Sequence, residues 1–344
     1  MKIRVLSELD ETTKKKLLNF TDFTIYHLPE WHRVLMEAFG WNVKYIVGCI
    51  EDQIVFFLPY IKKYRFDLKQ HNISLPLSHR IGIAFDPNYS AYYNEFINRC
   101  LATFKAIEVH DQLQGSDLQY SNQNYITSLD LSKFSSTEAI YKVLDYKSVK
   151  YEINKANKQG VEVTKILDKN SITYFYKLEV QTRRRQGAPV YPKNFFLAML
   201  KNLPKEILRL YLAKHHDTTI AGSIFFSFNG KSIYAYSASE NDNSYRKLGA
   251  SELIMWSAIQ DAFNEQIKVI DFGTTPVHLT SLKKFKEKWG GISTNFPYTV
   301  ISKTTQHVAI NRDGKMAKLV SFVLKSMPEP IFRQLGPLIL KVAI

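Results

Sequence analysis

Apolar positions along the chain divide it into short strands and amphipathic helices that recur in two rounds. Residues 1 to 9 read as a strand, and His27-Leu-Pro-Glu-Trp-His-Arg-Val-Leu-Met-Glu-Ala-Phe-Gly40 as a helix with Pro29 near its start and Gly40 past its end. Trp41 to Ile50 and Ile54 to Tyr64 pair across Glu51-Asp52-Gln53 as an antiparallel hairpin. Pro76 and Gly82 break the stretch from Ile73 to Phe85 into strand and loop. A helix from about Ser90 to Lys105 feeds a strand at Ala106 to His110, and a strand at Asn124 to Leu131 closes the first half.

The second half repeats this layout. Ser135-Ser136-Thr137-Glu138 offers helix caps, and the segment that follows keeps a helical period to Gly160. Its Lys147, Lys150, Tyr151, Asn154, Lys155 and Lys158 share a face that is either solvated or an anion-binding flank. Val161 to Leu167 is a strand, a helix runs from about Ser171 to Gln186 and stops at Gly187 and Pro189, and a shorter helix follows Pro192. Strands at Ile207 to Lys214, Ile220 to Phe228 and Lys231 to Ser239 are joined at Asp217-Thr-Thr and at Asn229-Gly230, the strongest hairpin turn in the chain. A helix over Ala250 to Gln266 leads into a strand at Val269 to Gly273. In both halves a helix feeds a hairpin, with Tyr45 and Ile54 spaced as Tyr211 and Ile220 are. Identity between the halves is poor, so the repeat rests on layout. The expectation is an α/β (α+β) fold in three parts: subdomains at 1–135 and 136–305, and a basic tail at 306–344.

Composition narrows the class. With 344 residues, 45% of them hydrophobic, the chain can bury a substantial core. Its longest apolar runs, such as Ile54 to Ile61, fall far below the roughly 18 to 20 residues that span a bilayer. No apolar signal core precedes the first acids, so a cytoplasmic location is expected. Cys49 and Cys100 exclude a disulfide framework, a four-Cys zinc site and a CxxC redox pair. A formal net charge of +14 attracts RNA, acidic lipid headgroups, nucleotides and phosphorylated sugars without choosing among them. Between residues 301 and 344 seven Lys or Arg stand against Asp313 and Glu329. Such an amphipathic tail either docks on the protein's own core or lies in a membrane interface, which makes peripheral contact with the inner membrane face an open reading.

Two stretches carry candidate chemistry. Val269-Ile-Asp-Phe-Gly273 leads through a polar loop to a basic helix with Lys283, Lys284, Phe285, Lys286, Lys288 and Trp289, stopped by Gly290-Gly291. Gln181-Thr-Arg-Arg-Arg-Gln-Gly-Ala-Pro-Val-Tyr-Pro192 runs from a helix into a rigid loop. Arg183, Arg184 and Arg185 fan through about 200° on a helix, so they cannot all reach one ligand. Either one or two of them hold phosphate, or Glu179 pairs with Arg183 at i, i+4 and the rest are solvated. On the strand at 231–239, strict alternation puts Ser237 and Ser239 on one face and Tyr234 and Tyr236 on the other. Triad orders, HExxH, Walker and GxGxxG motifs are missing, which leaves hydrolase, metalloprotease, NTPase and dinucleotide-binding readings without support.

The chain resembles the FemAB-like branch of the GNAT acyltransferase superfamily. There a strand ending Asp-Phe-Gly leads to a Phe-Lys-x-x-Trp-Gly signature, here Phe285-Lys286-Glu287-Lys288-Trp289-Gly290, and the segment at 181–192 is similar to the family's Thr-Arg/Lys-Arg-x-Gly-x-Pro. The resemblance spans about Trp31 to Gly291 and implies tandem GNAT-like subdomains, each a mixed, largely antiparallel sheet flanked by helices. It implies attack by an amine on an activated acyl group, with Lys286 placed for the developing oxyanion and Asp271 either accepting a proton or capping its loop. Arg183, Arg184, Arg185 and Lys283 would hold phosphates, and Tyr191, Ser237, Ser239, Phe285 and Trp289 would line the substrate. Arg246-Lys-Leu-Gly249-Ala-Ser251 is a degenerate form of the GNAT loop that holds coenzyme A pyrophosphate, with Ser251 where Gly or Ala is usual. The implied donor is acyl-CoA or aminoacyl-tRNA, with no tightly bound cofactor and no metal. The implied acceptor is a phosphorylated cell-envelope precursor, such as a peptidoglycan or exopolysaccharide intermediate. An acyl-CoA-dependent N-acetyltransferase of an amino sugar, and a non-catalytic module for RNA or anionic membrane, remain alternatives.

Overall fold

A computed structural model describes residues 1–64, 70–114, 118–121, 123–302 and 315–343. In chain order the first part holds β1 (Lys2–Leu6), α1 (Glu11–Leu17), α2 (Pro29–Phe39), β2 (Lys44–Ile50), β3 (Gln53–Tyr64), β4 (Gln70–Ser74), β5 (Ala84–Phe85), α3 (Tyr93–Thr103), β6 (Ala106–Val109) and β7 (Gln119–Ser121). Next come β8 (Asn124–Asp130), α4 (Thr137–Val143), α5 (Tyr151–Lys158), β9 (Val161–Lys165), α6 (Lys169–Gln186), α7 (Lys193–Asn202), β10 (Leu208–His215), β11 (Thr218–Phe228) and β12 (Lys231–Ser239). The rest is α8 (Asn243–Arg246), α9 (Ala250–Asn264), β13 (Val269–Pro276), α10 (Thr280–Glu287), β14 (Ile292–Asn295), β15 (Tyr298–Ser302), α11 (Lys315–Ser326) and α12 (Glu329–Ala343).

Local chemistry sets most of these boundaries. Pro29 opens α2 and Gly40 closes it in the left-handed region. Asp168 caps α6 by accepting from Ser171 N–H at 2.7 Å, so that helix begins at Lys169, two residues before the start read from the sequence. Asn229 and Gly230, both at positive φ, make the tight turn between β11 and β12.

The strands form two sheets of matching order. One runs β1-β2-β3-β4-β6-β15-β7, with β5 added to β3, and the other, taken from its far edge, runs β9-β10-β11-β12-β13-β8-β14. In each, three antiparallel neighbours are followed by a parallel pair, β4 with β6 and β12 with β13. The repeat inferred from layout is therefore a repeat of topology, and the fold is a tandem of mixed, helix-flanked α/β sheets.

The halves do not divide as the chain order suggests. β8, which reads from sequence as the end of the first half, belongs to the second sheet, and β15 returns from the second half to the first. One compact unit takes Met1–Asn124 and β15; the other takes Tyr125–Thr294 and the two last helices as far as Leu340. A boundary at residue 135 separates β8 from the sheet it pairs in, because strand membership is decided by which edge a strand can pair with. Of the basic tail, residues 306–314 lie outside the described residues, while α11 and α12 pack on the second unit.

The first unit's core gathers Val55, Phe56, Leu58, Phe96 and Ile107, with Cys100 among them. Cys49 and Cys100 are both buried free thiols, and burial pushes the Cys100 thiol up to about 12, as a small core residue requires. The second unit's core lies between β11, β13 and helices α5 and α9, around Phe225, Ile254, Ile259, Ile270, Phe272 and Trp289.

Candidate active site

In the second unit β12 and β13 are paired only over Lys231–Ile233 and Val269–Asp271. Beyond Ile233 and Asp271 the parallel strands part, β12 running on to Ser239 and β13 to Pro276. Backbone groups outside a ladder need other partners. On β12, Thr182 of α6 supplies one: its Oγ1 accepts from Ser239 N–H at 2.9 Å and donates to the Ser239 carbonyl at 3.0 Å. On β13, Lys286 of α10 donates through Nζ to the carbonyls of Gly273 at 3.0 Å and Thr274 at 3.1 Å.

A bulge marks the β12 side. The register passes from Phe225 opposite Tyr234 to Ile224 opposite Tyr236, which leaves Ala235 as the extra residue. Strict alternation is broken there, so Tyr234 and Tyr236 do not share a face as the sequence suggests. Tyr234 packs on Phe225, 5.3 Å between ring centroids, whereas Tyr236 meets Tyr191 at 5.2 Å, Phe195 at 5.7 Å and Phe196 at 5.6 Å. Ser237 is bonded to Ser223, hydroxyl to hydroxyl, at 3.1 Å.

On the β13 side Lys286 is 4% exposed and Asp271 6%. Burial lowers the Lys286 pKa to about 8, with the Asp271 charge opposing the shift. Asp271 Oδ1 accepts from Gly273 N–H at 2.7 Å, the loop-capping geometry, and Gly273 sits at φ +70. Thr275 Oγ1 is buried and has no hydrogen-bond partner among the described residues.

The three arginines diverge. Arg183 pairs with the buried Glu179 at 2.7 Å and lies 4.5 Å over the Tyr191 ring. Arg184 has a buried Nε with no partner among the described residues. Arg185 donates to Ser239 Oγ at 3.1 Å, to the Glu240 carbonyl at 3.3 Å and to Asn241 Oδ1 at 3.3 Å. Its pKa is lowered by burial first and by the like charge of Arg246 second. Arg185 and Ser239 are thus brought together, within reach of the Arg246 charge. Thr182 and Glu179, which hold this arrangement together, escaped the sequence reading as site residues, although both sit in or beside the Gln-Thr-Arg-Arg-Arg segment.

Other candidates lie elsewhere. Lys283 pairs with Glu287 at 2.6 Å and lies 4.9 Å over the Tyr125 ring. Phe285 packs against the core, and Trp289 has 0% exposure inside it. Trp289 is a packing residue, not a surface that a substrate can touch. Its place in the sequence motif reflects the fold.

Gly249 caps α9 at φ +73, and a Cβ there would meet the Glu152 carbonyl oxygen of α5 at 2.4 Å. The Glu152 carboxylate is also within reach of that point, and Glu252 in the first turn of α9 has its pKa raised by burial and by Glu152. The helix start that the sequence offered to a pyrophosphate, with Ser251 just inside it, is therefore packed on α5, where Glu152 is paired with Lys155. Gly249→Ala is expected to cost about 3 kcal/mol or more, since a left-handed backbone and a clash with backbone combine. Gly230→Ala, at φ +70 but with only Lys268 Cγ at 4.0 Å, serves as control and is expected to cost about 1 kcal/mol. Urea midpoints of the two variants test the difference.

Residues 146–286 match the family model of an acetyltransferase (GNAT) domain, a stretch that takes in α5, the arginines, both parting strands and Lys286. That stretch of the chain is similar to a GNAT acetyltransferase domain. The chain's fold is similar to that of solved FemX and tandem GNAT structures. The structure of FemX is similar with a TM-score of 0.64 at 13% identity, covering 86% of this chain and 97% of that one. The C-terminal domain of a putative lysylphosphatidylglycerol synthetase from Agrobacterium fabrum gives 0.54 at 9% identity, covering 91% and 95%. A tandem GNAT protein from the clavulanic acid biosynthesis pathway gives 0.50 at 9% identity, covering 89% and 100%. None of the curated proteins compared matches the chain in sequence. The parting of β12 and β13 thus lies within the matched stretch, with Arg185 of α6 at Ser239 on one strand and Lys286 of α10 at Gly273 and Thr274 on the other.

Proposed function

We propose that this GNAT protein moves an aminoacyl group from aminoacyl-tRNA to an amine of a phosphorylated cell-envelope precursor, such as a peptidoglycan or exopolysaccharide intermediate. The observation that carries the donor assignment is the α9 N-terminus, which packs against the α5 backbone at Glu152 and so is closed to the pyrophosphate of coenzyme A. Cations gather instead at Arg185 and Arg246, beside the end of β12. The names of two similar structures, FemX and lysylphosphatidylglycerol synthetase, are consistent with an envelope product.

Lys286 has the central role in this reading. An ammonium carries three donors, and two of them meet the Gly273 and Thr274 carbonyls. The third is left for the ester carbonyl of the donor, where negative charge grows as the amine adds. With a pKa of about 8 the group is mostly protonated at neutral pH, which the role requires. The attacking amine loses its proton as the carbon–nitrogen bond forms, and the tRNA 3′ oxygen leaves with a proton. Ser237, Ser239 and Thr275 supply hydroxyls near the parting strands.

Thermal-shift titrations of the full chain with charged tRNA, uncharged tRNA, coenzyme A and acetyl-CoA, at two salt concentrations, test the donor. Charged tRNA is expected to raise the melting temperature, with an effect that collapses at high salt. Arg185→Ala is expected to weaken that binding about tenfold, the worth of one charge-assisted contact. Saturable coenzyme A binding that Arg246→Ala removes would overturn the assignment and favour N-acetylation of an amino sugar.

A further inference from the structure

The last two helices have two apolar faces, and protein covers only one. Inward, Leu324, Phe332 and Leu340 are buried, Ser321 closes on Gly187 at the end of α6, and Gly336 lies on Val190. Outward, α11 exposes Leu319, Phe322 and Val323, with Phe322 at 70%. On α12 the exposed set is Ile331, Leu335, Leu338 and Val342, with Leu338 at 62%. These four recur at i, i+4, i+7 and i+11, which at 3.6 residues per turn confines them to an arc of about 60°. Single exposed apolar residues are ordinary, but a continuous stripe on a helix already docked by its other side is not.

Charge indicates what covers it. Lys318 and Lys325 flank Phe322 at i−4 and i+3, and Lys341 follows Leu338 at i+3. The acid of these two helices, Glu329, is paired with Arg333 at 2.6 Å. An apolar stripe edged by lysines fits a bilayer surface bearing anionic headgroups, because the side chains enter the acyl boundary while the lysine stems reach back to phosphates. A second copy of the chain fits less well. A two-fold contact through this face would bring one lysine-edged patch against another, setting like charges together.

We infer that α11 and α12 form an amphipathic platform that lies on an anionic membrane surface through Leu319, Phe322 and the Ile331–Val342 stripe. No helix among the described residues is long and apolar enough to cross a membrane, so the contact is interfacial. The inference is independent of the proposed reaction, since it needs neither donor nor acceptor.

Flotation of the full chain with phosphatidylglycerol–phosphatidylcholine vesicles, beside pure phosphatidylcholine vesicles, tests it. Binding is expected to the anionic vesicles, to weaken with salt, and to be much poorer on the neutral ones. The double variant Leu335→Ser, Leu338→Ser is expected to lower the vesicle partition about tenfold or more, with its melting temperature unchanged because both side chains are exposed. Lys318→Glu with Lys325→Glu is expected to remove the preference for anionic vesicles. Equal partition of the parent and the double serine variant would overturn the inference. So would sedimentation velocity showing a dimer that the serine variant dissociates, without vesicle binding by the parent.

Discussion

The stability of the parent chain is expected to rise by about 3 kcal/mol between about pH 8 and pH 10.5 through Lys286 alone, and the Lys286→Met chain to lack this rise. The Lys286 pKa is lowered by burial from 10.5 to about 8 in the folded chain. Between those values the unfolded chain therefore binds more protons than the folded one, and stability increases with pH. Below about 8 the full cost of burying the charge is present; above 10.5 it has gone. Other groups titrate in the same range. Burial raises the pKa of Tyr191 and Tyr234, whose ionisation destabilises the fold at the alkaline end. The difference between parent and variant cancels them, so urea midpoints of both chains at a series of pH values isolate the lysine. Parallel curves for the two chains would show that Lys286 titrates normally.

The same variant separates binding from chemistry. Methionine fills the volume but leaves the Gly273 and Thr274 carbonyls without their donor, a cost of about 1 to 3 kcal/mol each. At neutral pH that loss is opposed by removing the buried charge, and the variant is expected to fold. Transfer from charged tRNA is expected to fall about a hundredfold or more, as for loss of a donor to a developing oxyanion. Retained tRNA binding with lost transfer is the signature of the role assigned to Lys286. Loss of both together would make it a structural residue only.

Trp289→Ala is expected to destabilise the second unit by about 3 to 5 kcal/mol, a large share of a domain's stability. The side chain has no exposure and packs among the residues around Phe272 and Ile259. Its indole Nε1 is buried with no hydrogen-bond partner among the described residues. Trp289→Phe therefore removes an unsatisfied donor along with some volume. It is expected to cost no more than about 1.5 kcal/mol, since the two changes oppose each other. Denaturant titrations followed by far-UV circular dichroism distinguish the two variants. If phenylalanine were as damaging as alanine, the indole N–H would have to be making a contact that matters.

Much of the fold was legible because its signals are local. Pro29 and Gly40 bound α2, Gly187 stops α6, and Asn229-Gly230 turns one strand onto the next; each acts through its own φ and its nearest neighbours. The repeat was visible in the spacing of Tyr45 and Ile54 against Tyr211 and Ile220, because the same hairpin needs the same length of chain. The motif around Phe285-Lys286 was visible in the same way. The Glu179–Arg183 pair at i, i+4 on α6 was also within reach of helical geometry.

What escaped depended on partners far away in sequence. That β8 joins the second sheet and β15 the first is settled by available strand edges, which no residue of β8 announces. The bulge at Ala235 overrides an alternation that looked regular, and so puts Tyr234 and Tyr236 on different faces. Glu152 reaches Gly249 from 97 positions earlier and turns a phosphate-like helix start into a packed one. The amphipathic tail read as a choice between docking on the core and lying in a membrane interface; packing against Gly187 and Val190 shows that α11 and α12 dock, with a second apolar set left exposed. The sequence by itself determined the elements, their order and the residue types at the parting strands. Only the tertiary structure decided which of those residues are buried, paired or open, because desolvation and pairing depend on every neighbour at once.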